Sequence, residues 1–130
     1  MKSNVQIIGE NREWAIETLK KVDAKMSKVT VRSRDKLADG VDANGVHRTV
    51  NPRGWTSGFW GGLNAMMYDY TKAEEYLACA RSNEALKIEP LYECFEKHYH
   101  DVGFRWHLLT GALYRITGEE QYRNRNTTAK

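Results

Sequence analysis

At 130 residues the chain is long enough for one ordinary domain with its own hydrophobic core. Its 20 basic and 17 acidic residues give a net charge of +3 without a long basic run, which argues against a nucleic-acid or membrane partner. No stretch approaches the roughly 20 apolar residues of a membrane span, and residues 1–10 lack the apolar run of a secretory signal. Cys79 and Cys94 form no CxxC pair and indicate reduced thiols, so we expect a soluble cytoplasmic protein.

The first predicted element is a helix over residues 14–29, followed by a long loop. An apolar stripe runs along the helix at spacings of three and four residues, and its members are Ala15, Leu19, Val22, Met26 and Val29. The pattern disappears over residues 30–54, where glycine and proline mark turns. We therefore predict a loop there, with a short hairpin around Asn44-Gly45, and we assign His47 no role beyond a loop contact.

A second helix is predicted from Thr56 or Ser57 to about Tyr70. We expect its buried side to consist of its large apolar residues, which are Phe59, Leu63, Met66, Met67 and Tyr70. Its first turn also contains three glycines, Gly58, Gly61 and Gly62. Each glycine weakens a helix by roughly 1 kcal/mol relative to alanine. Close approach of a neighbouring helix, or of a ligand near Trp55 and Trp60, would compensate for this cost.

Two further helices are predicted after a tight turn at residues 71–74. The third runs from Glu74 or Glu75 to about Leu86, and its inward face consists of Leu77, Ala78, Ala80 and Ala85. Residues 91–99 are predicted to form a short helical turn. The fourth helix extends over residues 103–116 and buries Phe104, Leu108, Leu109, Ala112, Leu113 and Ile116. Gly118 follows it at the left-handed position that ends many helices, and a fifth helix begins nearby.

The chain repeats itself with a period of about 45 residues. Gly58-Phe59 recurs 45 positions later as Gly103-Phe104, and Leu63 recurs as Leu108. After a one-residue slip, Thr71 recurs as Thr117 and Tyr76 as Tyr122. Such a period with helical patterning indicates stacked helix pairs, either a solenoid or a closed ring of hairpins. The first entrance (residues 55–60) and the second entrance (residues 98–104) should therefore lie on the same face.

The second entrance contains the carboxylate that we consider most able to do chemistry, Asp101. A carboxylate just before a helix lies near unsatisfied N–H groups and the positive end of the helix dipole. The simpler interpretation is an N-cap, because aspartate is a favoured capping residue, and the two roles are compatible. His98, His100 and Asp101 also suggest a metal site, but no further ligands follow at suitable spacing, so we predict no metal.

Four motifs in register make the chain resemble one known family. They are Trp55-Thr56-Ser57-Gly58-Phe59-Trp60-Gly61-Gly62-Leu63, Tyr68-Asp69-Tyr70-Thr71, His100-Asp101-Val102-Gly103-Phe104, and Tyr114-Arg115-Ile116-Thr117-Gly118 with Tyr122. With these residues, segment 14–123 is similar to the N-terminal part of the unsaturated glucuronyl hydrolases, glycoside hydrolase family 88. The resemblance implies an all-α fold, a ring of six helical hairpins called an (α/α)6 barrel. Residues 1–130 would be a single partial domain, an incomplete toroid made of the first helical hairpins.

The resemblance also implies an activity and roles for three residues. The family hydrates the vinyl ether of an oligosaccharide whose terminal sugar is a Δ4,5-unsaturated uronic acid, without a metal or an organic cofactor. Asp101 takes the position of one of the two acidic residues that the family needs, Trp55 that of a residue lining the sugar subsite, and His100 would contact the substrate. The second acidic residue lies in a later motif, so we expect a truncated, inactive fragment. The helix faces that an open ring exposes should favour self-association.

Two alternatives stay open. The first is a non-catalytic helical repeat module that binds a peptide or partner on its concave face, which needs only the repeat and exposed aromatic residues. It does not account for the glycines and the acidic residue at the helix entrances. The second is another enzyme on the same ring, such as an unsaturated rhamnogalacturonyl hydrolase or a sugar epimerase. The motif at residues 100–104 favours a glucuronyl hydrolase over these.

Overall fold

The computed structural model of the chain describes residues 2–88 and 100–129. Helices dominate these residues and the strands form one two-stranded sheet, which confirms the predicted all-α class. The elements are α1 (Asn4–Arg32), β1 (Ala38–Val41), β2 (His47–Thr49), a 3₁₀ turn (Trp55–Gly58), α2 (Phe59–Thr71), α3 (Glu74–Ala85), α4 (Val102–Trp106), a π-helical turn (His107–Gly111), α5 (Ala112–Thr117) and α6 (Glu120–Thr128). The turn predicted at residues 91–99, with Cys94 and His98, lies outside the described residues.

Helix α1 begins at Asn4, well before the predicted start at residue 14. A capping box explains the earlier start: the Ser3 hydroxyl accepts from the Gln6 N–H at 3.3 Å, and the Gln6 side chain accepts from the Ser3 N–H at 2.9 Å. Thr30 is the one buried residue of α1. The predicted apolar stripe of this helix is therefore only partly covered. No helix in the described part of the chain is both long and apolar enough to cross a membrane.

The C-terminal half of α1 holds the helix against the rest of the chain through two side-chain hydrogen bonds. The hydroxyl of Tyr76 on α3 donates to the Asp23 carboxylate at 2.6 Å. The hydroxyl of Thr30 donates to the Asn64 side chain on α2 at 2.7 Å, and both groups are buried. Buried polar groups that pair in this way avoid the cost of lost hydration, so the two bonds fix where α1 lies.

The hairpin predicted around Asn44-Gly45 is confirmed. Strands β1 and β2 pair antiparallel, with Val41 opposite His47. In the turn between them, the Asp42 carboxylate accepts from the N–H groups of Asn44 and Val46, both at 2.9 Å. Gly45 supplies the positive φ, 75°, that the turn requires. This hairpin occupies the middle of the segment predicted as loop and lies beside the first entrance.

Two turns with the same construction, which we call the exit turns, connect α2 to α3 and α5 to α6. In each turn a threonine hydroxyl, that of Thr71 or Thr117, donates to the carbonyl oxygen four residues earlier at 2.8 Å. The hydroxyl oxygen of the same threonine accepts from the N–H two residues later at 3.2 Å. The residue between lies in the left-handed region, Lys72 at φ 59° and Gly118 at φ 72°. The repeat read from the sequence is therefore present in the backbone.

The π-helical turn explains the one-residue slip in the repeat. Equivalent residues are 45 apart at Leu63 and Leu108 but 46 apart at Thr71 and Thr117. A π turn closes an i→i+5 hydrogen bond and so contains one residue more than an α turn. The turn at His107–Gly111 lies at this point of the second copy. The second copy thus absorbs an extra residue and still reaches the same exit turn.

Gly118, in the second exit turn, and Gly9, in α1, both have open space around them, and a change to alanine should have opposite effects at the two positions. A Cβ at Gly118 would meet nothing within 4 Å, so Gly118→Ala acts through the positive φ alone. We expect it to lower the free energy of unfolding by about 1 kcal/mol. Gly9, inside α1, also has open space around it, and Gly9→Ala should raise helix stability by up to about 1 kcal/mol. Urea unfolding measures the free energy of unfolding of both variants. A change of the same sign in both would contradict the prediction.

The buried side of α2 differs from the predicted one at every residue but Met67, which is buried as expected. The buried residues are Gly61, Gly62, Asn64, Ala65 and Met67, whereas Phe59, Leu63, Met66 and Tyr70 are exposed. The physical reason is close backbone approach, because a Cβ at Gly62 would lie 2.8 Å from the carbonyl oxygen of Leu108. A neighbouring helix, rather than a ligand, therefore occupies the space that the glycines leave. Phe104 and Leu108, predicted to be buried on the fourth helix, are exposed as well.

The core lies between α2, α3, α5, α6 and the π-helical turn. Its buried apolar residues are Ala65, Leu77, Ala80, Leu109, Ala112, Leu113 and Tyr122. Of the predicted inward face of α3, Leu77 and Ala80 are buried, as expected, while Ala85 is exposed. The core therefore joins the two copies of the repeat, and their entrances must lie side by side.

Candidate functional site

The two entrances meet in a cluster of three aromatic rings, Trp55, Phe59 and Phe104, which we call the aromatic cluster. The Trp55 ring lies edge-on to Phe59 and to Phe104, with centroid distances of 5.8 Å and 6.5 Å. Phe59 and Phe104, the equivalent residues of the two copies, stack at 6.3 Å with 28° between their planes. The prediction that the two entrances lie on one face is therefore confirmed.

Backbone packing and one buried arginine hold the entrances together. A Cβ at Gly58 would overlap the carbonyl oxygens of Phe104 and Arg105, so only glycine permits this approach. The buried Arg105 guanidinium donates to the carbonyl oxygen of Pro52 at 3.2 Å, just before the first entrance. These contacts fix the position of Trp55 relative to the start of α4. Half of the Trp55 side chain is nevertheless open to solvent, at 53% exposure.

Asp101 directly precedes α4, at the position of an N-cap. Its carbonyl oxygen accepts from the N–H groups of Phe104 at 3.0 Å and Arg105 at 3.4 Å. Its carboxylate makes no capping hydrogen bond; it lies 3.7 Å from the His100 imidazole and is 24% exposed. The His100 side chain is 89% exposed. Asp101 therefore starts the helix with its backbone, while its carboxylate faces His100.

Two clefts flank the aromatic cluster. The second-entrance cleft has a volume of about 470 Å³ and is lined by His100, Val102, Gly103, Phe104, Trp106, His107, Leu108, Asn126 and Ala129. The hairpin cleft has a volume of about 380 Å³ and is lined by residues 38–41, His47, Trp55, Thr56, Phe59, Trp60 and Leu63. Trp55 lines the hairpin cleft and His100 lines the second-entrance cleft, whereas Asp101, beside His100, lines neither of them. The aromatic cluster is the wall between these clefts.

Sequence reasoning missed a group of buried charges beneath the second entrance. Glu84 accepts from the Arg125 guanidinium at 2.7 Å, and burial raises the pKa of Glu84. The Lys87 ammonium donates to the carbonyl oxygen of Arg105 and lies 4.5 Å from the centre of the Trp106 ring. A signal was present, because Glu84 and Lys87 continue the spacing of the buried face of α3 for another turn.

Burial makes Lys87 a source of pH dependence. Burial, and then the charge of Arg105, lower the pKa of Lys87 from 10.5 to about 7, and Glu84 opposes this shift. Between these two values the unfolded chain binds the proton and the folded protein does not. The stability contributed by neutral Lys87 is therefore present above pH 10.5 and is lost as the pH falls through about 7.

We expect the free energy of unfolding to rise by about 1 kcal/mol per pH unit between about pH 7 and about pH 9 because of Lys87. Lys87→Met should remove this rise, since methionine fills a similar volume without a titrating group. Urea unfolding across this pH range tests the difference, with the exposed Lys72→Met as the control that keeps the slope. Identical slopes in the wild type and Lys87→Met would show that Lys87 does not titrate there.

Metal ligands do not assemble in the described ranges, residues 2–88 and 100–129. No three histidine, cysteine, aspartate or glutamate side chains lie close enough there to hold an ion. His98 lies outside these ranges. Cys79 is buried, and burial raises the pKa of its thiol to about 11, so it stays protonated at neutral pH.

Fold and site together define an all-α repeat protein with two aromatic-lined clefts beside a carboxylate. No protein-family model matches the chain, and no solved structure matches it. Among curated proteins, an unsaturated glucuronyl hydrolase of Bacillus sp. is 28% identical over 99 residues, which cover 73% of this chain and 26% of that protein.

Two further relatives are named unsaturated chondroitin disaccharide hydrolases. The protein of Streptococcus agalactiae is 26% identical over 76 residues, covering 58% of this chain and 19% of its own. That of Streptococcus pneumoniae is 29% identical over 69 residues, covering 53% of this chain and 17% of its own. The chain thus spans about a quarter or less of the length of the curated relatives that it matches.

Proposed function

We propose that this chain forms part of a glycoside hydrolase acting on oligosaccharides that end in a Δ4,5-unsaturated glucuronyl residue. The names of the three relatives support this proposal. The observation that carries it is the ring contact between Trp55 and Phe104, because it joins an exposed indole to the entrance that contains Asp101. An indole face suits the apolar side of a sugar ring, and a neighbouring carboxylate suits a reaction that develops positive charge.

The proposed reaction is hydration of the vinyl ether. A proton adds to C4 of the unsaturated sugar and water supplies a hydroxyl to C5, so that one water molecule is consumed. The resulting hemiketal opens and releases the remaining sugar. Positive charge develops on C5 and the ring oxygen as C4 is protonated. The half-buried Asp101 carboxylate would stabilise this charge, and His100, 3.7 Å away, would orient it.

We further propose that the two helical hairpins, α2–α3 and α5–α6, belong to an (α/α) toroid. The exposed apolar stripe of α2, formed by Phe59, Leu63, Met66 and Tyr70, suits packing against further helices. The 130-residue chain then supplies Trp55 and Asp101 but only part of a catalytic site. Alone, it should self-associate through such faces, and sedimentation showing only monomer would contradict this.

Turnover tests the proposed function directly. The gene product that contains this chain is incubated with an unsaturated disaccharide made by a polysaccharide lyase. Loss of the ultraviolet absorbance of the conjugated double bond is the expected result, because hydration removes that bond. Unchanged absorbance, with the disaccharide recovered intact, would overturn the proposal. Binding of a peptide on the same face instead would favour the non-catalytic repeat module.

A further inference from the structure

Arg105 lies between the two entrances and contacts both of them. Its backbone N–H donates to the carbonyl oxygen of Asp101 at 3.4 Å, in the first turn of α4. Its guanidinium donates to the carbonyl oxygen of Pro52 at 3.2 Å, three residues before Trp55. The residue is 1% exposed, so water has little access to its side chain. A single buried residue therefore joins the segment that carries Asp101 to the segment that carries Trp55.

The carbonyl oxygen of Arg105 is held from two further directions. It accepts from the side-chain nitrogen of Lys87, which is fully buried just after α3. Gly58 of the first entrance packs against the same oxygen, which a Cβ at that position would overlap. Arg105 also lies two residues before the π-helical turn, where the i→i+4 hydrogen bonds of α4 give way to i→i+5 bonds. Lys87 thus supplies a donor close to the point where the regular helix is interrupted.

Burying Lys87 beside Arg105 costs free energy. Burial, and then the charge of Arg105, lower the pKa of Lys87 from 10.5 to about 7, and Glu84 opposes this shift. Buried charged groups can often be replaced by apolar residues of similar volume without loss of stability. A neutral lysine still has N–H groups to donate, so its bond to Arg105 does not depend on its charge. The two side chains are therefore better explained by the positions that they fix than by stability.

The proposed reaction is sensitive to these positions, because the platform for the sugar and the carboxylate belong to different entrances. The ring of Trp55 would carry the sugar, and the carboxylate of Asp101 would stabilise the charge that develops on it. A displacement of about 1 Å can cost about a hundredfold in rate. Binding tolerates such a displacement better, since the sugar keeps its contact with the indole. A loss of positioning should therefore lower kcat and leave KM almost unchanged.

We propose that Arg105 is a positioning residue, which sets the position of Asp101 relative to Trp55, and that Lys87 holds Arg105 in place. The inference rests on the proposed function for the reaction that this geometry serves. Neither Arg105 nor Lys87 lines the second-entrance cleft or the hairpin cleft. Both residues therefore act on the reaction through the backbone that they hold.

Steady-state hydration of an unsaturated disaccharide by the gene product tests the role of Arg105. Arg105→Met removes the donor to Pro52, and we expect kcat to fall about thirtyfold while KM stays within about twofold of the wild type. Arg105→Lys keeps one donor, which suffices for the single bond to Pro52. It should restore kcat to within about threefold of the wild type.

Arg81→Met is the matched control for Arg105→Met. The Arg81 guanidinium pairs with Glu119 in the second exit turn, at the opposite end of the repeat from the entrances. The variant therefore removes an ion-paired arginine that has no contact with Pro52 or with α4. Both kcat and KM should stay within about twofold of the wild type, because partly exposed ion pairs contribute little.

Lys87→Met tests the support of Arg105 and keeps the proposal testable if Arg105→Met does not fold. Methionine fills a similar volume but cannot donate to the carbonyl oxygen of Arg105. We expect kcat to fall about tenfold with KM within about twofold of the wild type, because α4 loses one of its supports. The exposed Lys72→Met is the control and should keep both constants.

The ¹⁹F signal of Trp55 reports the position of the first entrance without any turnover. The gene product is labelled with 5-fluorotryptophan, and the Trp55 signal is assigned by its loss in Trp55→Phe. This signal should be sensitive to the ring of Phe104, whose centroid lies 6.5 Å from that of Trp55. We expect the signal to shift in Arg105→Met and in Lys87→Met. It should stay at its wild-type position in Arg81→Met.

The inference is overturned if folded Arg105→Met keeps the wild-type kcat, if it raises KM alone, or if its Trp55 signal does not shift. If Arg105→Met does not fold, an unchanged kcat and Trp55 signal in Lys87→Met overturn it. A gene product whose turnover is insensitive to both variants would refute the inference alone. A gene product without turnover would refute the proposed function, and the Trp55 signal would then decide whether Arg105 positions the entrances.

Discussion

Replacing Asp101 with asparagine should lower hydration of an unsaturated disaccharide by the gene product at least about a hundredfold, while the protein stays folded. Asparagine keeps the shape of the side chain and the carbonyl oxygen that starts α4, so the helix needs no new contact. What it loses is the negative charge that we propose stabilises the positive charge developing on the substrate. Removing one preorganised electrostatic group from an active site commonly costs about a hundredfold to a thousandfold in rate.

The control for this experiment is Asp69→Asn. Asp69 is an exposed aspartate on α2 whose carboxylate pairs with Lys72, and it lies away from both entrances. Its removal should leave the rate of hydration within about twofold of the wild type, because exposed ion pairs contribute little. Equal rates in Asp101→Asn and the wild type would remove Asp101 from the mechanism.

Gly58→Ala should lower the free energy of unfolding by about 3 kcal/mol or more. The added Cβ would overlap two backbone carbonyl oxygens, those of Phe104 and Arg105, and backbone cannot move aside as a flexible side chain can. Overpacking commonly costs about 1–3 kcal/mol, and this contact lies at the upper end of that range. The two entrances would have to separate, so saccharide binding should weaken together with stability.

The repeat supplies the matched control, because Gly103 is the equivalent of Gly58 in the second copy. A Cβ at Gly103 would meet nothing within 4 Å, and the residue lies inside α4. Gly103→Ala should therefore be neutral or stabilise by up to about 1 kcal/mol. Urea unfolding followed by circular dichroism measures both variants. Similar stabilities would show that Gly58 is not a point of contact between the entrances.

Periodicity predicted the parts of the fold that depend on local sequence. The stripe of α1, the limits of α3, the hairpin at Asn44-Gly45 and the exit turn at Gly118 follow from spacing and turn residues, and all of them are present. The repeat went further, since it predicted that both entrances lie on one face before any contact was known. The Ser3 capping box was equally readable from the sequence, and its omission placed the start of α1 too late.

The buried side of α2 could not be read from hydrophobicity. Phe59, Leu63 and Met66 form an apolar stripe. Such a stripe indicates a helix face that is suited to burial, but it does not indicate which part of a protein packs against that face. In this chain the glycine face is covered, because Gly61 and Gly62 let the backbone approach the π-helical turn. Close approach of two backbones produces no apolar pattern in the sequence. Hydrophobicity therefore favoured the large residues of α2 as its buried side.

The roles of the three candidate site residues stay predictions, whereas the structure shows where each of them lies. Trp55, His100 and Asp101 followed from motifs, and the structure places all three at the adjoining entrances. The hairpin cleft was missed, since His47 meets Trp60 only through the fold. Long-range contacts of this kind depend on how the elements pack, which the spacing of residues along one chain does not specify.

A single titration tests whether the two entrances bind one saccharide. The ¹⁵N-labelled chain is titrated with an unsaturated disaccharide, and the Trp55 indole N–H is followed together with the backbone N–H of Gly103. We expect both signals to shift along one binding curve with a single dissociation constant. Shifts at one entrance alone, or two different dissociation constants, would contradict a shared saccharide site.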